Sequence, residues 1–154
     1  MQKMVVSLWF DGNAEEAVNF YTSVFKNSKI TEMSRYSEAG PGKPGTILTI
    51  MFQLNGMEFM AINAGPEFKF TPAVSVMVQC ETQHEVDSLW EQLTAGGGRE
   101  DQCGWLVDKY GLSWQIVPTA LGQLMQDKNP EKVKRVTQAM FKMKKLDLKT
   151  LQEA

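Results

Sequence analysis

Few side chains in this sequence could do metal, nucleophilic or acid–base chemistry. There is one histidine, His84, and two cysteines, Cys80 and Cys103. The cysteines form no C-x-x-C pair and fit no zinc spacing, so they read as small buried side chains in a reducing compartment. His84 falls in the first turn of a helix opened by Thr82 and Glu85, a capping box that leaves it in water. The string GPGKPG, with Gly40, Gly42 and Gly45, matches the phosphate-binding pattern G-x-G-x-x-G by letters. It leads into TILTIMFQL, which is a strand pattern, and Pro41 and Pro44 remove backbone donors that a phosphate would use. It reads as a mobile surface loop. Two residues on alternating strands are left as chemical candidates. Glu58, in MEFMAI, could act as a general base, although nothing in its surroundings shifts its pKa. Gln115, in GWLVDKYGLSWQIVP, points away from Leu112, Trp114 and Ile116 and shares its face with Ser113 and Val117.

The elements that must position these residues come as one unit written twice. Asn13 and Glu16 make a capping box, and Ala14, Ala17, Val18, Tyr21, Val24 and Phe25 follow on one helical face. Thr82 and Glu85 begin a second such helix, with Val86, Leu89, Trp90 and Leu93 at the same spacing and a stop at Gly96 to Gly98. An offset of 69 residues superposes the two faces, Ala17 on Val86, Phe20 on Leu89, Tyr21 on Trp90 and Val24 on Leu93. A strand run precedes each helix, MVVSLWF and AVSVMVQC. After the first come KITEMSRY, TILTIMFQL, the Asn55-Gly56 turn and MEFMAI; after the second come REDQC, GWLVD, the turn from Asp108 to Gly111 and LSWQIV. The expected fold is α+β. Paired strand-helix-three-strand modules, about 1–64 and 70–118, form curved mixed sheets around a cavity within a single 1–154 domain, and 119–154 form a helical extension.

Composition sets outer bounds. A chain of 154 residues with a net charge of -2 suits one substantial core and gives no overall reason to expect nucleic acid. No stretch approaches the roughly 20 apolar residues of a membrane span, and MQKMVVSLWF is too short an apolar run for a signal peptide. The expected location is the cytoplasm. Eight of the 16 Lys and Arg follow Asp127. There Val133, Val136, Met140 and Met143 make an amphipathic stripe, expected to pack on the sheet's open edge or on a second subunit while its lysines stay in water.

The segments LWFDGNAEEAVNFYTSVF, FTPAVSVMVQC, CGWLVDKYGLSWQIVP and VTQAMFKMKKLDLKTLQEA together resemble the PhnB-like branch of the vicinal oxygen chelate superfamily, the glyoxalase and bleomycin-resistance type. Members of this branch are often labelled 3-demethylubiquinone-9 3-methyltransferases. The resemblance implies a homodimer and a divalent metal held by four side chains, commonly His on the first strand of each module and Glu on the last. Here the corresponding positions read Val6, Met60, Ser75 and Gln115. Transition metals take imidazole, carboxylate or thiolate, and this set offers none of them. No metal and no cofactor are therefore expected. Methyl transfer has no support either, since GPGKPG does not open a helix.

By alternation the expected cavity face carries Thr49, Gln53, Glu58, Met60 and Ile62 in one module and Ser75, Met77, Gln79, Ser113, Gln115 and Val117 in the other. Trp9 and Trp105 are available for stacking. Such a lining suits a small organic ligand oriented by a few hydrogen bonds, with Gln115, Ser75, Met60, Glu58, Gln53, Met77, Trp105 and Trp9 as binding candidates. The leading expectation is a metal-free small-molecule-binding protein, a homodimer engaging neither nucleic acid nor membrane. The alternative is an enzyme of the same superfamily, either metal-dependent or using Glu58 as a base.

Overall fold

A computed structural model describes residues 3–154, and it falls into two compact units, 1–69 and 70–154. In the first, β1 (Val6–Phe10), β2 (Ser28–Arg35), β3 (Ile47–Leu54) and β4 (Met57–Asn63) form a sheet in the order β1-β4-β3-β2, with α1 (Ala14–Val24) after β1. β1 runs parallel to β4, and the other pairs are antiparallel. One face of this sheet carries Leu8, Phe10, Ile50, Phe52, Leu54, Phe59 and Ala61, all buried, and meets the Ala14, Ala17, Val18, Tyr21 and Val24 stripe of α1. Phe52 and Phe59 are register partners, and their rings stack at 5.4 Å. Each such fully buried side chain contributes about 1.5–3 kcal/mol through removal from water.

The second unit repeats the plan. β5 (Ser75–Cys80), β6 (Arg99–Glu100), β7 (Trp105–Val107) and β8 (Ser113–Pro118) are ordered β5-β8-β7-β6, and α2 (Gln83–Thr94) follows β5. The expected α+β class and strand-helix-three-strand order are therefore both present. Only Arg99–Glu100 of the run REDQC pairs as strand. The Thr82 capping box forms in full, with the Thr82 hydroxyl accepting from the Glu85 N–H and the Glu85 carboxylate accepting from the Thr82 N–H. The Asn13 box does not form. Asn13 makes no side-chain cap bond; the Ala14 N–H instead donates to Asn63 Oδ1 at 2.9 Å, from the far end of β4.

Three helices complete this unit: α3 (Thr119–Met125), α4 (Pro130–Met140) and α5 (Leu148–Glu153). The stripe expected to pack on a sheet edge or another subunit closes instead on a core of its own. Val136 joins Leu121, Leu146 and Leu151, each at most 8% exposed, with Val117, Met140 and Met143 packed around them. The helix ends at Met140, so Met143 reaches that core from a turn. Gln83 ties the extension to α2, donating to Leu146 O at 3.0 Å and accepting from the Leu148 N–H at 2.7 Å.

Candidate functional site

In the second unit the face turned away from α2 is set by register. Ser75 pairs with Ser113, Met77 with Gln115, and Trp105 with Gln115 from the other side, so these five residues share one face. Leu112, Trp114 and Ile116 are buried on the other side, as alternation requires. Gln115 Nε2 donates to Ser75 Oγ at 2.9 Å. Gln115 Oε1 accepts no bond from the described residues. The Ser113 hydroxyl, on a residue 1% exposed, has no partner either, whereas Met77 stands 53% exposed on the edge strand. The hairpin holding Gln115 is set by Asp108, whose Oδ1 accepts from the Tyr110 and Leu112 N–H groups at 2.8 and 3.0 Å.

In the first unit the corresponding face carries Trp9, Thr49, Gln53, Glu58, Met60 and Ile62, all half-buried. Trp9 donates to Gly65 O at 2.8 Å and meets Phe68 edge-on at 4.8 Å, so its ring is held from two sides. Lys3 Nζ lies 2.7 Å from Glu58 Oε2, and Gln53 donates to Oε1 at 3.3 Å. These bonds, Lys3 first, hold the Glu58 carboxyl below the usual carboxylate range. A carboxylate so stabilised is a weaker base.

Val6 belongs to the opposite face. It pairs with buried Phe59, while Ser7 pairs with Met60. The helices correspond at an offset of 69 residues, but the strand residues on the core-facing side correspond at 70, Leu8 with Val78 and Phe10 with Cys80. The strand-to-helix connection of the first unit is one residue longer, and a one-residue slip inverts every side chain of a strand. Val5 is the true counterpart of Ser75.

The donor chemistry does not fit the superfamily's metal with Val5 in place of Val6 any better than before. A thioether, a hydroxyl, an amide and an alkyl group supply no ionised or imidazole ligand. Among the described residues, no three His, Cys, Asp or Glu side chains cluster as a metal would need. His84 is exposed, and burial pushes the Cys80 thiol up to about 11, which keeps it protonated and unreactive.

A cavity of about 680 Å3 opens beside the Gly/Pro loop, lined by Asp11, Glu15, Arg35, Tyr36, Gly42 and Asn63 among others. The loop is bonded to itself, Tyr36 N–H to Thr46 O and Gly45 N–H to Tyr36 O, both at 2.9 Å, and it lies on the Tyr36 ring. A Cβ at Gly42 would come within 2.5 Å of that ring, so glycine here serves close packing. The loop leads into β3, as the strand pattern requires, and opens no helix.

The profile of the 3-demethylubiquinone-9 3-methyltransferase family matches residues 2–117. The chain belongs to that family. Among solved structures it is similar to the Bacillus cereus PhnB protein, which carries the same methyltransferase label, with 45% identity and a TM-score of 0.69 over 77% of this chain and 100% of that one. Protein PA1353 of Pseudomonas aeruginosa shares the fold at 17% identity and a TM-score of 0.64, covering 77% of this chain and 98% of its own. The fosfomycin resistance protein FosX of Listeria monocytogenes shares it at 15% identity and a TM-score of 0.58, covering 82% and 98%. No protein among the curated sequences matches. The fold is thus the glyoxalase and bleomycin-resistance type, and α3, α4 and α5 lie beyond the part that the family profile matches.

Proposed function

We propose that this member of the 3-demethylubiquinone-9 3-methyltransferase family is a small-molecule-binding protein that works without a divalent metal, and that the Gln115 face of its second unit meets the ligand. The observation that carries this reading is the Gln115–Ser75 hydrogen bond at 2.9 Å. Two side chains at positions where the superfamily places metal ligands are neutral and engage each other. Gln115 Oε1 is left as an acceptor beside Trp105, a pairing suited to an organic ligand that stacks on the indole and donates one hydrogen bond. The first unit supports the same reading through Met60, Gln53, Glu58 and Trp9. An enzyme using Glu58 as a base is less well supported, since Lys3 stabilises the carboxylate.

The working form is a cytoplasmic homodimer. β1 and β5 stand at the ends of the strand orders of their sheets, and Met4, Val74 and Met77 in or beside these strands are 93%, 66% and 53% exposed. Light scattering at micromolar concentration tests this reading, with a particle of twice 17.4 kDa as the expected result.

The decisive experiment is native mass spectrometry of the protein as purified, beside Gln115→Ala and Ser75→Ala prepared identically. A co-purifying organic mass that persists in EDTA and is depleted in Gln115→Ala supports the proposal. One equivalent of metal per chain, lost in either variant, overturns it and returns the chain to the metalloenzymes.

A further inference from the structure

We propose that the cavity beside the Gly/Pro loop of the first unit is a second binding site, and that its ligand is a small zwitterion carrying one anionic and one cationic group. This inference is independent of the Gln115 face. All of the cavity's lining lies between Asp11 and Gly65. Three charged side chains take part, Arg35 of one sign and Asp11 and Glu15 of the other. They share one cavity without neutralising each other, for no ion pair joins Arg35 to Asp11 or Glu15 among the described residues. Among the described residues the guanidinium makes a single bond, from Nη1 to Gly45 O at 2.9 Å, which anchors it to the loop and leaves the rest of its fork of donors open to a ligand. A planar fork of this kind recognises a carboxylate through paired hydrogen bonds, while the two acids suit an ammonium group.

The frame that carries these charges is built into the fold. Asn63 alone links three of the lining segments: its Oδ1 accepts from Ala14 N–H at the start of α1, its Nδ2 donates to Ile47 O at the start of β3, and its own carbonyl accepts from Tyr36 Oη at 2.5 Å. Gly42 lies on the other side of that tyrosine ring with no room for a side chain. The glycine string singled out by its letters thus forms a wall of the cavity. Asp11, Glu15 and Arg35 are exposed side chains carried on this cross-braced backbone, so a ligand that bridges them has only those side chains, and not the segments that bear them, to order on binding.

The test is a nuclear magnetic resonance titration of the full-length protein with glycine, β-alanine and γ-aminobutyrate, and with acetate and ethylammonium as single-charge controls. At least one zwitterion is expected to give saturable shifts at the Gly42 and Gly45 amides and the Arg35 side chain. Acetate and ethylammonium should bind at least about tenfold more weakly. Arg35→Gln should weaken the best zwitterion by about tenfold or more. Because Arg35 also holds Gly45, Asp11→Asn is the independent arm; Asp11 makes no hydrogen bond within the described residues, so that substitution changes charge alone, and it too should weaken binding. Absence of saturation with all three zwitterions overturns the proposal. So does acetate binding as tightly as the zwitterions with no effect of Asp11→Asn.

Discussion

The indole N–H of Trp114 donates to Asp108 Oδ2 at 2.8 Å across the hairpin turn, with both side chains buried. Asp108 also holds the Tyr110 and Leu112 N–H groups, so one carboxylate fixes both the turn and the strand that presents Gln115. Asp108→Ala should therefore destabilise the protein by about 3 kcal/mol or more, since it removes three acceptor contacts and orphans a buried indole donor. Trp114→Phe, which keeps the backbone bonds, should cost less through the hydrogen bond but more through packing. Urea unfolding of the two variants, followed by circular dichroism, measures both. An Asp108→Ala cost below about 1 kcal/mol would contradict the assignment.

Asn63 and Asn13 should exchange the importance that their positions suggest. Asn13→Ala removes no cap bond and should change stability by less than about 0.5 kcal/mol. Asn63→Ala loses the bond to the α1 N-terminus and that to Ile47 O, and should cost about 2 kcal/mol. Chemical denaturation of the pair reads the difference directly.

Two glycines should respond in opposite directions. A Cβ at Gly98 would stand 2.8 Å from the Thr94 Cα and carbonyl oxygen and 2.9 Å from Val107 O, backbone atoms that cannot move aside. Gly98→Ala should lower the melting temperature by several degrees, an effect of about 1–3 kcal/mol. Gly122, exposed within α3, has nothing within 4 Å of the added carbon. Gly122→Ala should stabilise by up to about 1 kcal/mol through the gain in helix propensity.

Acid should weaken the tie between α2 and the extension. Asp87 pairs with Lys145 at 2.6 Å and accepts from Gln83 at 3.0 Å, and these bonds, Lys145 first, hold its carboxyl below the ordinary range. The folded state then binds fewer protons than the unfolded chain. The contribution is present above the unfolded value, near about pH 4, and is lost as pH falls through the lower folded value. Both partners are over 40% exposed, so the effect is small and screened. The urea midpoint should fall less steeply below about pH 4 in Asp87→Asn, and the gap should narrow in about 1 M salt.

Purified without chelator and dialysed, the protein should carry far less than one zinc, nickel, manganese or iron per chain by elemental analysis. The donors at Met60, Ser75 and Gln115 lack the basicity that such ions require.

Most of the fold was legible because burial imposes periods that letters reveal. The stripes of α1 and α2, the Asn55-Gly56 turn and the alternation of Leu112, Trp114 and Ile116 all fall where the pattern puts them. What stayed hidden depends on contacts distant along the chain. Asn13 and Glu16 spell a capping box as clearly as Thr82 and Glu85 do, but Asn63 reaches the helix from 49 residues away. The stripe of α4 was visible, while its partners Leu121, Leu146 and Leu151 sit in short pieces too small to show a period. The charged cavity draws on four separate stretches of chain. Its one local sign is an arginine and a tyrosine just ahead of a glycine string whose letters match a phosphate loop.

The longer strand-to-helix connection of the first unit has a meaning for heredity. A codon gained or lost between Phe10 and Ala14 would leave the letters of β1 and α1 untouched, yet it would force the strand either to shift along β4 or to turn its buried residues outward. Gly12, at a φ of 82°, takes up the turn of that connection in a conformation few other residues tolerate. Two halves of a gene that descend from one ancestor can therefore keep matching helices and matching strands while no single ungapped alignment fits both, and sites transferred from one half to the other by counting from the helix will land on the wrong side of the sheet.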